Sequence, residues 1–169
     1  ANTLDDLTTA SNNTAVGHSA LGANTDGVGN TAVGKGALPA NTTGDNNVAV
    51  GKDAMQDNTT GSQNTALGQN ALADNTTATN NVAVGYKAMR LTTTGDSNVA
   101  VGYQALDANT TGSANVAVGP SALGANTDGF SNTALGADSL KANTTGDYNV
   151  AIGQFASEQN TTANRNTSV

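Results

Sequence analysis

Few residues in this chain could do chemistry. His18 is the only histidine, and Ser11 and Asp26 stand near enough in sequence for a Ser-His-Asp set to be drawn around it. That arrangement needs a hydroxyl activated by an imidazole which a carboxylate orients. His18 falls where the residue type changes from repeat to repeat, so it reads as a solvated side chain rather than a base or a ligand. The 13 carboxylates are scattered, and "TDG" recurs only at Asp26 and Asp128, too sparsely for a calcium-binding repeat ladder. Cysteine is absent, which removes disulfides and thiolate metal sites. No catalytic residue, metal or cofactor is expected.

Covalent modification is the remaining chemistry. The pattern Asn-x-Ser/Thr occurs at Asn12, Asn41, Asn58, Asn75, Asn109, Asn143, Asn160 and Asn166, and marks N-glycosylation acceptors in secreted chains. Six of the eight belong to "NTT" triplets, so glycans there would form a file along one edge. Turn formation selects the same residues, because Asn bonds its own backbone and Thr follows it readily.

A net charge of −7 and six unclustered Lys and Arg residues argue against nucleic acid or an acidic membrane as partner. No apolar run approaches the ~18 residues of a membrane span. Aromatics are 3% and charged residues 11% of the 169-residue chain, so an ordinary core of large side chains is not on offer. Disorder is the plain alternative for such a composition, and strict apolar phasing speaks against it.

That phasing is what positions everything else. Glycine follows Ala-Val, Ala-Leu or Ala-Ile at Gly17, Gly34, Gly51, Gly68, Gly85, Gly102, Gly119, Gly136 and Gly153, always 17 residues apart. Asparagine opens each unit at Asn13, Asn30, Asn47, Asn64, Asn81, Asn98, Asn115, Asn132, Asn149 and Asn166. We number the unit from this Asn as position 1, which makes the glycine position 5. Constant length is demanded where each coil sits on its neighbour. The chain therefore reads as an all-β parallel solenoid or β-roll, with 1–12 a degenerate partial coil, 13–165 nine repeats, and 166–169 the start of a tenth. Helix is excluded by the density of Gly, Asn, Thr and Val.

Within a unit, "NTAV" or "NVAV" predicts a short strand. Alternation puts Thr or Val at position 2 with Val, Leu or Ile at position 4, and Asn, Ala and Gly on the opposite face. "Ala-Leu" at positions 8 and 9 predicts a second strand, and "NTTG" a return turn whose glycine supplies positive φ. The position-1 asparagines are expected to bond up a ladder or to suit the turn. A single coil has little apolar surface, so the small Ala/Gly face is expected to lie against another chain.

The unit "NTAVGxxALxxNTTGxx" resembles repeats of phage tail fibres and bacterial surface proteins. It is also similar to the "N-x-V-A-I-G" motif in the heads of YadA-like trimeric autotransporter adhesins. The likeness covers nearly all of 13–169. It implies a left-handed β-roll of three chains, outside the cell or on a virion, acting in attachment. The unit here is longer than the adhesin-head repeat, and nothing in the sequence matches that family's coiled-coil stalk, membrane anchor or the fibres' self-cleaving chaperone.

The ends suggest a further expectation. Ala1 enters at position 6, Leu4 matches Leu21, and "NTSV" repeats positions 1 to 4. Ala1, Asn2, Thr3 and Leu4 of one copy with Asn166, Thr167, Ser168 and Val169 of another would nearly complete a coil, a head-to-tail junction. Excision from a longer fibre would give the same phase. The functional expectation is a non-enzymatic extracellular fibre or filament subunit that associates with copies of itself. The rival is a segment of a trimeric fibre or adhesin that binds a host receptor. Ice binding by Thr files is a weaker third, since Thr42 and Thr43 would point to opposite sides of a strand.

Overall fold

In the computed structural model, residues 10–169 are described, and they form a parallel β-solenoid with one strand per coil. The strands are β1 (Thr14–Val16), β2 (Thr31–Val33), β3 (Val48–Val50), β4 (Thr65–Leu67) and β5 (Val82–Val84). They continue as β6 (Val99–Val101), β7 (Val116–Val118), β8 (Thr133–Leu135), β9 (Val150–Ile152) and β10 (Thr167–Ser168). The sheet order follows the chain, β1 through β10, every pair parallel. Register never slips: Ala15 lies beside Ala32, Ala32 beside Ala49, and so on to Ala151 beside Ser168. The solenoid and its 17-residue coil are as the sequence predicts.

Strands β1 to β9 are three residues long because glycine ends each of them. The position-5 glycines between Gly17 and Gly153 have φ of 121–141°, a region that side chains other than glycine's rarely occupy. Space forbids a Cβ as well. One added at Gly85 would stand 2.5 Å from the carbonyl oxygen of Gly102 in the next coil.

Two expectations are corrected here. Positions 8 and 9 form no strand but a run of turns, in which the N–H of Ala20 donates to Gly17 O and that of Asn24 to Leu21 O. Position 9 is left-handed, as at Leu38 (φ 51°) and Leu106 (φ 54°), which breaks the extended backbone a strand needs. The faces of the strand are also the reverse of those expected. Ala32, Ala49, Ala66 and their equivalents are fully buried inside the coil. Position 4 points outward, with Val16 57% and Leu135 47% exposed. Alternation fixes two faces, and the narrow interior decides between them. Only a methyl group fits at position 3, beside the second Ala file at position 8 and the Leu/Met file at position 9.

The "NTTG" turn works differently from expectation too. Its glycine at position 15 has no positive φ. It is required by crowding, since a Cβ on Gly27 would collide with Asn24 Oδ1 and come within 2.5 Å of Gly44 O. The turn is held instead by one carbonyl of the next coil. Thr42 O accepts the N–H groups of Thr25, Asp26 and Gly27 at 3.0–3.3 Å, and the Thr25 hydroxyl at 3.1 Å.

The two kinds of glycine separate experimentally. Gly85→Ala combines about 1–3 kcal/mol of backbone strain with a backbone clash, and denaturant unfolding should show a loss of at least that size. Gly22→Ala, whose added Cβ meets no atom nearer than 3.6 Å and whose φ is not positive, should be neutral or stabilise by about 0.4–1 kcal/mol.

Candidate functional site

The interior holds two files of asparagine, and both are structural. At position 1 the backbone N–H of Asn30 donates to Asn13 Oδ1 at 2.8 Å, and the same bond recurs in every step up to Asn166 and Asn149. The ladder thus runs mainly from side chain to backbone rather than from amide to amide. The Nδ2 of the same residue reaches across the coil to the position-15 carbonyl, as Asn30 does to Gly44 O at 2.8 Å. The expected amide-to-amide bond is also present at position 1 in five of the nine steps, as from Asn64 Nδ2 to Asn47 Oδ1 at 3.2 Å, and position 12 supplies a second amide ladder. Asn41 Nδ2 donates to Asn24 Oδ1 at 2.7 Å and also to Gly44 O at 3.0 Å. Two amides of one coil therefore converge on one carbonyl.

The position-12 ladder is a site that sequence reasoning missed. Its signal was present, since Asn occupies position 12 in eight of nine units, but the sequon reading absorbed it. Asn41, Asn58, Asn75, Asn109 and Asn143 are fully buried, and their amides are bonded, so no glycan can be carried there by the folded chain. This corrects the expected glycan file. Of the eight sequon asparagines, Asn12 and Asn166 are exposed and Asn160 partly so.

The ladder has one break. Thr92 replaces Asn at position 12, and Asn75 Oδ1, which would accept from it, is a buried polar atom without a hydrogen-bond partner. Ala78 at position 15 stands directly beneath. A Cβ at the equivalent Gly27 would lie 2.8 Å from the amide nitrogen of Asn41 in the next coil, so Ala78 and an Asn at 92 exclude one another. Thr92→Asn alone should therefore gain nothing, whereas Ala78→Gly/Thr92→Asn should stabilise by about 1–2 kcal/mol by satisfying Asn75. A double-mutant cycle by chemical unfolding reads the coupling.

Among the described residues no constellation of reacting groups is assembled on the outside. His18 is exposed, and its Nδ1 lies 2.9 Å from the hydroxyl of adjacent Ser19. Ser11 is likewise exposed, and its carbonyl accepts the N–H of Gly29. Asp128 is held below the ordinary aspartate range first by the Thr111 hydroxyl, at 2.7 Å. Asp26 lies six coils from it, so no repeating carboxylate array arises. Among the described residues no group of three or more metal-ligating side chains comes together, and no helix is long and apolar enough to cross a membrane. The position-13 threonines are committed as well, each hydroxyl from Thr25 to Thr144 donating to the next coil. Of the turn threonines that leaves the file at position 14 facing solvent, and the outward file at position 2 mixes Thr with Val, not the uniform Thr surface an ice lattice would need. Residues Ala1, Asn2, Thr3 and Leu4 of the expected junction lie outside the described residues. Their counterparts Asn166, Thr167 and Val169 are exposed and Ser168 partly so.

Charge collects instead on the edge at positions 10 and 11. Arg90 Nε donates to Asp107 Oδ1 at 3.0 Å. Beside them Asp74 is pushed above the ordinary range, by burial first and by Asp57 next, with Arg90 opposing. A carboxyl that holds its proton more tightly when folded adds stability only at pH below its ordinary value, 3.8, and at neutral pH its charge opposes folding. Asp74→Asn should raise the melting temperature at pH 7, and the advantage should vanish below that value.

All five aromatic rings are exposed. Tyr86 and Tyr103 stack in neighbouring coils with centroids 5.6 Å apart, and Phe130 meets Tyr148 edge-on at 5.0 Å. No family model matches this chain, and no match was found among curated proteins or solved structures.

Proposed function

We propose that this protein is a non-enzymatic structural subunit of an extracellular fibre or filament, stacking head to tail through the ends of its solenoid. The observation that carries the reading is the use made of buried polar groups. Those asparagines bind the coil above or close their own, and the buried interior is otherwise Ala, Leu and Met with Thr92 and Ser139, whose hydroxyls are hydrogen-bonded, so among the described residues no buried group is poised for acid, base or nucleophile work. Each coil also offers the next an identical surface. A Cβ added at any position-5 glycine from Gly17 to Gly136 would stand 2.5–2.6 Å from the following glycine's carbonyl oxygen, so the coils meet backbone to backbone in the same way at each step. A coil from a second copy would meet the same donors and acceptors as one from this chain, and parallel strands left open are templates for further pairing.

The exposed Tyr86/Tyr103 and Phe130/Tyr148 pairs favour one second reading, a fibre or adhesin segment whose flank binds a host receptor, since aromatics are enriched in recognition surfaces. Negative-stain microscopy over rising concentration tests the first. Filaments that lengthen, with diffraction at the inter-strand spacing of about 4.8 Å, are expected, whereas discrete short rods at high concentration would overturn it.

A further inference from the structure

The outward face of the sheet has a composition unlike the rest of the surface. Positions 1 to 5 carry no Asp, Glu, Lys or Arg in any coil, in a chain of 19 charged residues. What faces out is a file of Thr and Val at position 2 and a file of aliphatic side chains at position 4, among them Leu67, Val101, Leu135 and Ile152, 37–47% exposed. Ten strands in constant register make this face uninterrupted.

We infer that this face is the seat of a second copy of the chain, packed sheet to sheet with the two solenoids parallel and related by a two-fold axis along their length. The inference rests on the fibre reading and names its lateral partner. Area is the first argument. Nine steps of about 4.8 Å and a face about 12 Å wide give about 500 Å² per copy, so two copies bury about 1,000 Å². That meets the roughly 1,000 Å² that separates a biological interface from a chance contact, short of the roughly 1,200 Å² at which stable complexes begin, and Tyr86 and Tyr103 on one rim extend it. Width is the second. Two files about 7 Å apart fill the contact with one opposing sheet, and cannot be divided between two neighbours as a three-fold arrangement requires.

Charge sets the direction. The rim after the strand, at position 6, carries His18, Lys35 and Lys52 and no carboxylate. The rim before it, at position 16, carries Asp45, Asp96 and Asp147 and no cation. A two-fold axis along the solenoid brings the first rim of one copy opposite the second rim of its partner at the same height. Asp45 and Lys52 flank the same strand, β3 (Val48–Val50), so each meets the other's counterpart. Lys52 pairs with its neighbour Asp53 at 3.5 Å while its side chain stays about half exposed, and Asp45 spends one oxygen, Oδ1, on the N–H of Val28 at 2.7 Å. An antiparallel pair would set like rim against like. Because both copies then point the same way, pairing is compatible with end-to-end growth, and an uncharged seam lets two chains of charge −7 approach.

Analytical ultracentrifugation and cross-linking test this on the full chain. Wild type is expected at twice 16.6 kDa or as rods two chains wide, and Val84→Lys and Leu135→Lys are expected to halve that width with far-UV dichroism unchanged. Since the sequence has no cysteine, an equimolar mixture of Asp45→Cys and Lys52→Cys chains treated with a short bismaleimide should yield mainly the mixed product. Wild type one or three chains wide, lysine variants still two wide, or cross-linking of like with like overturns the pairing. Width reports the pairing and length the head-to-tail stacking, so either can fail alone.

Discussion

One backbone carbonyl in each coil bears the closure of the structure. At position 15 it accepts an amide from position 1 and, in every coil but that of Thr92, another from position 12, as Gly44 O does from Asn30 and Asn41 at 2.8 and 3.0 Å. The two asparagines approach from opposite sides of the coil and cross-brace it from within, while their oxygens bind neighbouring coils. A carbonyl oxygen has two lone pairs to offer, both are used here, and the demand explains much of the sequence. Position 15 must be small because the amides crowd it. The interior stays narrow because amides, rather than large apolar groups, span it.

A narrow interior has consequences for the exterior. With the Ala methyl turned inward, the larger aliphatic groups of the strand are left on the outside, in a chain with little other apolar surface. The fold is therefore stabilised by hydrogen bonds repeated coil after coil and by a thin Ala/Leu seam. Buried hydrogen bonds are costly to leave unmade, so an error in one coil is felt in the next. The gap at Thr92 shows how such an error is contained. Ala78 below fills the space a missing amide would leave, and the carbonyls on either side keep their other partners.

Much of this could be read from the residues. The invariant interval between Gly17 and Gly153 specified the stack and its register, and the Asn file at position 1 was visible as a structural element. The side of the strand that lies inside was not, because alternation distinguishes two faces without saying which is enclosed. That choice depends on the breadth of the coil, a property of the closed structure. Leu38 and its equivalents misled for a related reason. An Ala-Leu pair resembles a strand locally, yet the fold holds Leu in a left-handed conformation that only surrounding contacts can enforce. Asn41 and its equivalents were hidden by a motif, since a sequon describes three residues and is blind to the amide stacked above it. The exposed aromatic pairs were legible only as single residues, their adjacency arising from the 17-residue step.

The unvarying step also bears on how such a chain changes over generations. Replication slippage in a tandem gene adds or deletes whole units, and here a whole unit is a whole coil whose surfaces match most others, the matched Ala78 and Thr92 excepted. Gain or loss of repeats alters the height of the stack without disturbing what remains. A single inserted residue, by contrast, would displace every later amide from its carbonyl. Size can drift freely in this lineage, while the frame of the motif is fixed by its own bonds.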